Sequence, residues 1–438
     1  MISSENLSEK LFSDLSLDKN SHYYIAYSGG VDSTVLLHLM KQCSQYHGFK
    51  LTALHVNHNL HQDSDKWENH CVSNCDQLGV ELKTTSLQLT TNSEQEARES
   101  RYLWFRQQMT FGSVLLTAHH QQDRSETLLF NLLRGAGSKG LSSLRELRHD
   151  NGIKIVRPLL QVTQEQITSY AESNRLTWIE DPSNCDQKFS RNYIRHKVLP
   201  VLNNFRPDAI QNIARAADNL EQEQALMNEV AICDLVEVRE LPKHPLDQSH
   251  AICYEDIIHL STARKANLIR FWLNSLKLHT PSKTLLLKLL DTFDSKPSST
   301  TILQEQGTQF RFYQGFMYVM PALEELQPIM TVDWSNISQS VDLYDNKIRV
   351  ESTDKLRNLV RNEQTSLVRL SSRANVRNPK ALQGHTLNLK KWLQEIGIPP
   401  WRRQALPLLT MNHSDIDVVL GPVDQQMQSD WVSLECPI

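Results

Sequence analysis

The sequence predicts an α/β fold: an N-terminal doubly wound parallel sheet, a mainly helical middle domain and a small C-terminal mixed α/β domain. Three observations carry this expectation. Residues 1–160 alternate strand-like and helix-like segments, residues 163–215 turn helical, and residues 346–438 mix short strand-like runs with a basic block.

Taken in order, HYYIAY (22–27), LTALHVNH (51–58), VELKTTSL (80–87) and SVLLTAHH (113–120) are apolar or β-branched runs of strand length. Between them, DSTVLLHLMKQC, DKWENHCVSNCDQL and EQEARESRYLWFRQQM carry apolar residues at helical spacing. Alternation in that rhythm implies parallel strands joined by crossover helices. KIVRPLL (154–160) supplies a fifth strand after a Gly-rich loop. TQEQITSYAES and RNYIRHKVLPVLNN read as helices on either side of the turn signal EDPSN, and 262–292 reads as two more. TTILQEQGTQFRFYQGFMYVM (300–320) and KIRVEST read as short strands. The expected domains are 1–215, 216–345 and 346–438.

The chain of 438 residues carries a formal charge of −4, with 39% hydrophobic and 22% charged residues, which excludes a collagen-like, low-complexity or wholly disordered protein. No run reaches the roughly 18 uncharged apolar residues of a membrane helix. The start, MISSENLSEKLF, lacks the basic and apolar regions of a secretory signal. Seven scattered cysteines, an odd count, suit reduced thiols in a cytoplasmic protein better than a disulfide framework. Cys71 and Cys75 would share a helix face, but no second pair completes a zinc site.

The strongest chemical signal is Ser28-Gly29-Gly30-Val31-Asp32-Ser33, which follows the first strand and opens a helix. Two glycines allow a tight turn in which successive N–H groups converge on one anion, and the helix N-terminus adds its positive end. Ser28 and Ser33 offer hydroxyl donors, and Asp32 is the acid that could hold the Mg²⁺ accompanying a nucleotide triphosphate. A serine-capped strand-to-helix turn would account for Asp32 and Ser33 but not for the paired glycines. Gly135-Ala136-Gly137-Ser138-Lys139-Gly140 matches G-x-G-x-x-G, yet it follows a helical stretch, so it reads as a helix C-cap and loop.

Three further blocks fall at strand ends or on the next helix, the edge where open α/β sheets bind ligands. They are His55-Val56-Asn57-His58-Asn59-Leu60, Ala97-Arg98 with Arg101-Tyr102, and Thr117 through Thr127. In the last of these, Asp123 and Glu126 would share a helix face and suit a cationic amine or a metal. His119 and His120 could orient or deprotonate a nucleophile, while Arg98 and Arg101 could neutralise a charged triphosphate. Near the C-terminus, residues 367–403 hold eight Lys/Arg against one Glu, a net of +7, with Trp392 and Trp401 as stacking surfaces, a pattern suited to RNA. Arg191, Arg195 and Lys197 form a smaller basic stripe.

SGGVDS resembles the pyrophosphate-binding loop of the PP-loop ATP pyrophosphatase superfamily, which implies an adenine nucleotide α-hydrolase-like sheet. The ordered blocks, continuing through Arg157-Pro158-Leu159-Leu160, Glu180-Asp181-Pro182-Ser183-Asn184, Arg191-Asn192-x-x-Arg195, Lys390-Lys391-Trp392-Leu393 and Ile398-Pro399-Pro400-Trp401-Arg402-Arg403, resemble the tRNA(Ile)-lysidine synthetase family. The resemblance implies a C–N-bond-forming ligase. ATP adenylylates the C2 oxygen of the wobble cytidine of tRNA(Ile) with a CAU anticodon, and the amine of free L-lysine displaces AMP. It implies ATP and Mg²⁺ at Ser28, Gly29, Gly30, Val31, Asp32 and Ser33, with Asp32 on the metal. Asp32, Arg98, Arg101, His119 and Asp123 are the implied catalytic set, and Asp123 and Glu126 hold lysine. The resemblance implies tRNA contact at Arg191, Asn192, Arg195, Lys390, Lys391, Trp392, Arg402 and Arg403. A homodimer is compatible with this reading.

Two departures bear on the site. Gln122 stands where the family usually has an acid, and His61 where it usually has Arg. Competing readings are a tRNA thiolase, for which a C-x-x-C pair is missing, a glutamine-dependent amidotransferase, for which no glutaminase domain fits, and an RNA-binding protein with a dead nucleotide site, for which Gln122 would be the mark.

Overall fold

The computed structural model describes residues 18–57, 63–87, 94–142, 144–150, 152–180, 190–244, 247–322, 332–334, 339–343, 348–362, 367–373, 376, 379–381, 386–404, 406–413, 416–422 and 432–435. Two compact units divide between Leu226 and Met227. His58–His61, Asp181–Asn184, Cys185 and Cys436, all singled out in the sequence, lie outside the described residues.

The first unit is built on a six-stranded sheet of β1 (His22–Ala26), β2 (Lys50–Asn57), β3 (Glu81–Ser86), β4 (Val114–Leu116), β5 (Leu147–Asp150) and β6 (Ile153–Val156). Its order is β3-β2-β1-β4-β6-β5, and every pairing is parallel except the hairpin of β5 with β6. The order runs outward in both directions from β1 and β4, so the switch point lies between these two strands, where α/β sheets open a crevice at their carboxyl ends. The edge strand β5 was not expected from sequence; its four residues LRHD carry no apolar alternation and pair only because the Gly152 turn folds them back. Strands β1 and β4 are buried on both faces, which is why they read as unbroken apolar runs.

The crossovers are α1 (Val31–His47), α2 (Ser64–Leu78) and α3 (Glu94–Gln108), each within a few residues of its sequence assignment. Helix α4 (Gln121–Leu133) follows β4, and a single turn, α5 (Ser138–Leu141), follows it. The Gly135 φ of +72° follows the end of α4, so the first half of the G-x-G-x-x-G run is the helix end the sequence predicts, whereas Ser138–Gly140, read as loop, form the turn of α5. Helix α6 (Gln164–Ser173) starts with a Thr163–Gln166 capping box. Beyond it come α7 (Ser190–Tyr193), a π-helical turn at Ile194–Val198, α8 (Leu199–Phe205) and the 28-residue α9 (Ala209–Val236). Cys71 and Cys75 are buried in the core beneath α1, and burial pushes both thiols up to about 12, so they serve as small apolar residues.

The middle of the chain carries its expected helices, α10 (Thr262–Ser275) and α11 (Lys283–Asp294), and also a five-stranded antiparallel sheet. That sheet runs β7 (Glu240–Leu241), β8 (His250–Cys253), β11 (Phe316–Pro321), β10 (Thr308–Tyr313), β9 (Ile302–Glu305). Both helices lie on its face around Trp272, Phe293, Phe310 and Phe312. The C-terminal part holds a second five-stranded sheet, built from β12 (Val332–Asp333), β15 (Leu367–Ser372), β17 (Pro407–His413), β18 (Ile416–Pro422) and β16 (Lys380–Ala381). A three-stranded sheet of β13 (Val341–Leu343), β14 (Ile348–Ser352) and β19 (Val432–Glu435) and the helices α12 (Asp354–Asn362) and α13 (Leu389–Glu395) complete it.

Within this second unit the IPPWRR block behaves differently from its expected role at an RNA surface. Arg402 is fully buried: its Nε donates to Asp247 Oδ2 at 2.7 Å and its Nη2 to Ser249 Oγ at 2.7 Å. Arg403 donates from Nη2 to the Tyr313 hydroxyl at 3.0 Å and from Nε to the Ile398 carbonyl at 2.8 Å. Trp401 donates to Asp247 Oδ2 at 3.1 Å and meets Tyr318 edge-on. These side chains fasten the loop before β17 to the β7–β11 sheet, with Arg402 and Arg403 buried and Trp401 partly so. Lys390 and Lys391 remain exposed, with Lys391 3.7 Å from Glu395, and Trp392 packs partly into the C-terminal core.

Burial alone would raise the Asp247 carboxyl, but Arg402, His244 and Ser249 outweigh it and hold it below the ordinary range. Replacing Arg402 by Met strands that charge in the core, so Arg402→Met is expected to lower stability by about 3–5 kcal/mol in chemical denaturation. Asp247→Leu combined with Arg402→Met should recover most of the loss, because the apolar pair leaves no orphaned charge.

Candidate active site

The SGGVDS loop leaves β1 and enters α1. Gly29 sits at φ +85°, a left-handed conformation natural to glycine, and its carbonyl accepts from the Ile179 amide at 2.9 Å. A Cβ there would lie 2.5 Å from Ile179 Cδ1 and 2.8 Å from Cys71 Sγ. Gly30 is the N-cap and brings no side-chain acceptor, so no cap consumes the first-turn donors of α1. The Ser33 hydroxyl is buried; it donates to the Gly30 carbonyl at 3.0 Å and lies 3.0 Å from Ser28 Oγ. Ser33 thus braces the loop from below, while Ser28 stays exposed at its mouth. Val31 packs against the core.

Across the switch point, β4 ends and α4 begins with a capping box. Asp123 Oδ2 accepts from the His120 amide at 3.0 Å, and His120 Nδ1 accepts from the Gln122 amide at 3.2 Å. Because Nδ1 is an acceptor, the neutral His120 ring carries its proton on Nε2. That nitrogen lies 3.4 Å from Asp123 Oδ2 and 4.0 Å from Asp32 Oδ2. His120, buried at 2% exposure, therefore stands between the acid of the loop and the acid of α4. Asp32 Oδ1 accepts from Gln164 Nε2 at 3.1 Å, which fixes the carboxylate from its other side. Sequence reasoning missed Gln164 altogether; its only signal was a position at the start of a helix.

Asp123 and Glu126 share one face, as their spacing predicted. Arg195, expected on a basic stripe facing RNA, is instead turned onto them. Its Nε is 2.6 Å from Glu126 Oε1, and its Nη2 is 2.8 Å from Asp123 Oδ1 and 3.0 Å from Glu126 Oε2. Gln122 Nε2 donates to Glu126 Oε1 at 3.1 Å, so the residue that departs from the family pattern adds a donor to the pair where a third acid would add repulsion. The π-helical turn that carries Arg195 re-aims its side chain, a common use of such turns at functional sites. Arg191 donates to Thr127 Oγ1 at 3.1 Å, beside the half-buried Asn192.

The electrostatics follow from these contacts. Burial, reinforced by the neighbouring Asp123, raises the Asp32 carboxyl above its ordinary value despite His120, Gln164 and Arg195. Burial also opposes charge on Asp123, but His120, His119, Arg195 and the His120 amide outweigh it and hold that carboxyl low. His119 is pushed down to about 3 by burial, with Arg157, Arg191 and Arg98 adding and Asp123 opposing. It is a neutral imidazole near neutral pH, with Nδ1 2.9 Å from Thr117 Oγ1. Arg98 lies over the Tyr102 ring at 5.3 Å, and Arg101 is half-buried one helical turn from it. Arg157 is buried and donates to the Arg145 carbonyl. His55, within the second expected block, serves the scaffold, because its Nδ1 meets the Tyr27 carbonyl at 2.9 Å and ties β2 to the end of β1.

Residues 3–202 match the family model described as the PP-loop domain, 254–318 the TilS substrate binding domain and 368–433 the TilS substrate C-terminal domain. A parallel sheet with an anion-binding loop at its switch point and a carboxylate pair opposite defines a protein of the PP-loop class. The chain is 34% identical over 417 residues to the tRNA(Ile)-lysidine synthase of Coxiella burnetii, covering 92% of this chain and 89% of that one. It is 34% identical over 394 residues to that of Pseudomonas fluorescens, covering 89% and 87%, and 42% identical over 258 residues to that of Pseudomonas aeruginosa, covering 58% of each. The chain belongs to the tRNA(Ile)-lysidine synthase family.

Two outcomes test this geometry. Gly29→Ala should fold but lose nucleotide binding, measured by calorimetric titration with ATP, because the loop must open to clear Ile179 and Cys71. For His119, the folded ring stays neutral down to about 3 while the unfolded ring protonates near 6.5. The unfolded state therefore binds the extra proton, and stability contributed above pH 6.5 is lost as pH falls towards 3. His119→Gln should accordingly show a shallower fall in Tm between pH 7 and 5 than the unaltered protein.

Proposed function

We propose that this chain ligates L-lysine to C2 of the wobble cytidine of tRNA(Ile) with a CAU anticodon, consuming ATP and releasing AMP and pyrophosphate. The observation that carries the reading is the meeting of Asp32, from the phosphate-binding loop, with Asp123 across a single imidazole, and of Asp123 with Glu126 across Arg195. A nucleotide held on the loop and an amine held by the acids would then share one crevice.

The chemistry proceeds in two steps. The cytidine C2 oxygen attacks the α-phosphorus of ATP, and pyrophosphate leaves over the first turn of α1, whose N–H groups stabilise its charge. The lysine ε-amine, relieved of its proton, then attacks C2 and the C2–O bond breaks with AMP as leaving group. A carbonyl oxygen is a poor leaving group and AMP a good one, so ATP is spent on that exchange. Asp123 and Glu126 attract the amine, and their present partner Arg195 must share or yield them when lysine binds. His119, neutral and beside Asp123, is suited to orient the amine; held down to about 3, it is too weak a base to keep the proton, which passes to solvent. Arg98 and Arg101 offset charge on the triphosphate.

Asp32 suits Mg²⁺, which takes one or two carboxylates together with substrate phosphates. It is a partly exposed oxygen donor, disfavoured as a bare charge, and no all-protein cluster of ligands occurs among the described residues. When bound, the ion would neutralise phosphate charge. Of the basic C-terminal residues, exposed Lys390 and Lys391 remain suited to tRNA contact beside Trp392. A cytoplasmic location goes with that substrate, and no helix among the described residues is long and apolar enough to cross a membrane.

The test is incorporation of labelled lysine into a tRNA(Ile) transcript with a CAU anticodon. Incorporation that requires ATP, releases AMP and falls by at least about 10²-fold in Asp32→Ala is expected. ATP cleavage that depends on tRNA but leaves lysine free would overturn the choice of nucleophile.

A further inference from the structure

The lysine subsite faces the crevice from one side of α4, and the opposite side of that helix is fastened with equal care. Arg124 lies between Asp123 and Glu126 in sequence. At 100° per residue it points away from the face they share. It is 2% exposed, and its guanidinium spans two carboxylates of α9: Nη1 is 2.7 Å from Asp218 Oδ1 and Nη2 is 2.8 Å from Glu221 Oε2. Asp218 and Glu221 are three apart and so face α4 together. The neighbouring Ser125 hydroxyl donates to the Ile210 carbonyl at 2.8 Å, and Ser138 donates to Gln224 Oε1 at 3.1 Å. Gln161 donates to Asp218 Oδ1 at 3.2 Å and steadies the acid. Arg124 Nε is buried without a hydrogen-bond partner, so the guanidinium accepts an unsatisfied donor in order to reach both acids.

These contacts govern one degree of freedom. A helix packed by apolar contacts alone can rotate slightly about its axis, and every side chain on it swings with that rotation. Binding groups work only when held to about 0.5 Å and 10–20°. Two ion pairs and a hydrogen bond on the back of α4, at residues adjacent to Asp123 and Glu126, fix that rotation.

We infer that Arg124 is a positioning residue for the lysine subsite: clamped to Asp218 and Glu221, it sets the direction in which Asp123 and Glu126 meet the incoming amine. This rests on the reading of that acidic pair as the amine-binding group. Arg124 touches no substrate and acts only through α4.

The experiment measures KM for lysine and for ATP separately, in lysine incorporation by the full chain, for Arg124→Gln, for Asp218→Asn/Glu221→Gln, for the triple variant and for Asp123→Asn. Breaking the clamp from either side should raise the lysine KM about tenfold, the usual scale for removing a group that orients a ligand. The ATP KM should stay within about twofold, and the triple variant should be no worse than either parent, because all three break one unit. Arg124→Lys, which keeps charge but cannot fork across both acids, should fall in between and covers the case in which Arg124→Gln does not fold. A lower Tm with an unchanged lysine KM in the clamp variants, while Asp123→Asn raises it, would overturn the inference and leave Arg124 a structural tie. An unchanged lysine KM in Asp123→Asn would overturn the reading of the acidic pair itself, and the clamp's role with it.

Discussion

The site depends on keeping three carboxylates together without letting them repel one another apart. Asp32, Asp123 and Glu126 arrive from two helices that begin on neighbouring strands, and each is brought out of bulk water to reach the crevice. Two side chains make this tolerable. The His120 imidazole lies between Asp32 and Asp123, and the Arg195 guanidinium forks across Asp123 and Glu126. Take away either one and burial would drive a proton onto an acid or swing it out to solvent. The loop, the capping box of α4 and the π-helical turn are all arranged so that these two groups arrive at the right height.

That arrangement gives the site a preference. A cation already occupies the acidic pair, so on the proposed reading an ammonium would exchange one charge-assisted contact for another with little net attraction. Asp32 is in the opposite position. Its carboxyl is raised by burial and faces an imidazole and an amide, which leaves the acid with an unmet demand for positive charge. One crevice thus holds a carboxyl short of positive charge beside a pair already satisfied by Arg195.

The second unit solves a related problem by the opposite route. Arg402 and Asp247 are buried completely and satisfied completely, with Ser249 and Trp401 taking the remaining bonds. Nothing is left for a ligand. Its net charge of +7 over residues 367–403 made this stretch look like RNA surface, but part of that charge is internal, buried against the β7–β11 sheet. Arg402 in a core and Lys390 in water count equally in a charge sum, and only the fold separates them.

Much of the protein was legible in the chain itself. The strand–helix rhythm gave the parallel sheet, because burial on both faces demands unbroken apolar runs. SGGVDS gave the phosphate loop, because only glycine fits against Ile179 and Cys71 at φ +85°. The three-residue spacing of Asp123 and Glu126 gave their common face. These are local properties, fixed by backbone sterics and helical period. The partners were not local. That Arg195 turns inward, that His120 rather than His119 bridges the acids, that Gln164 reaches Asp32 across 132 residues and that Arg402 is buried follow from which surfaces the folded chain brings together. A charge in sequence carries its sign but not its environment, and the environment decides whether it binds a substrate, holds a neighbour or seals a core.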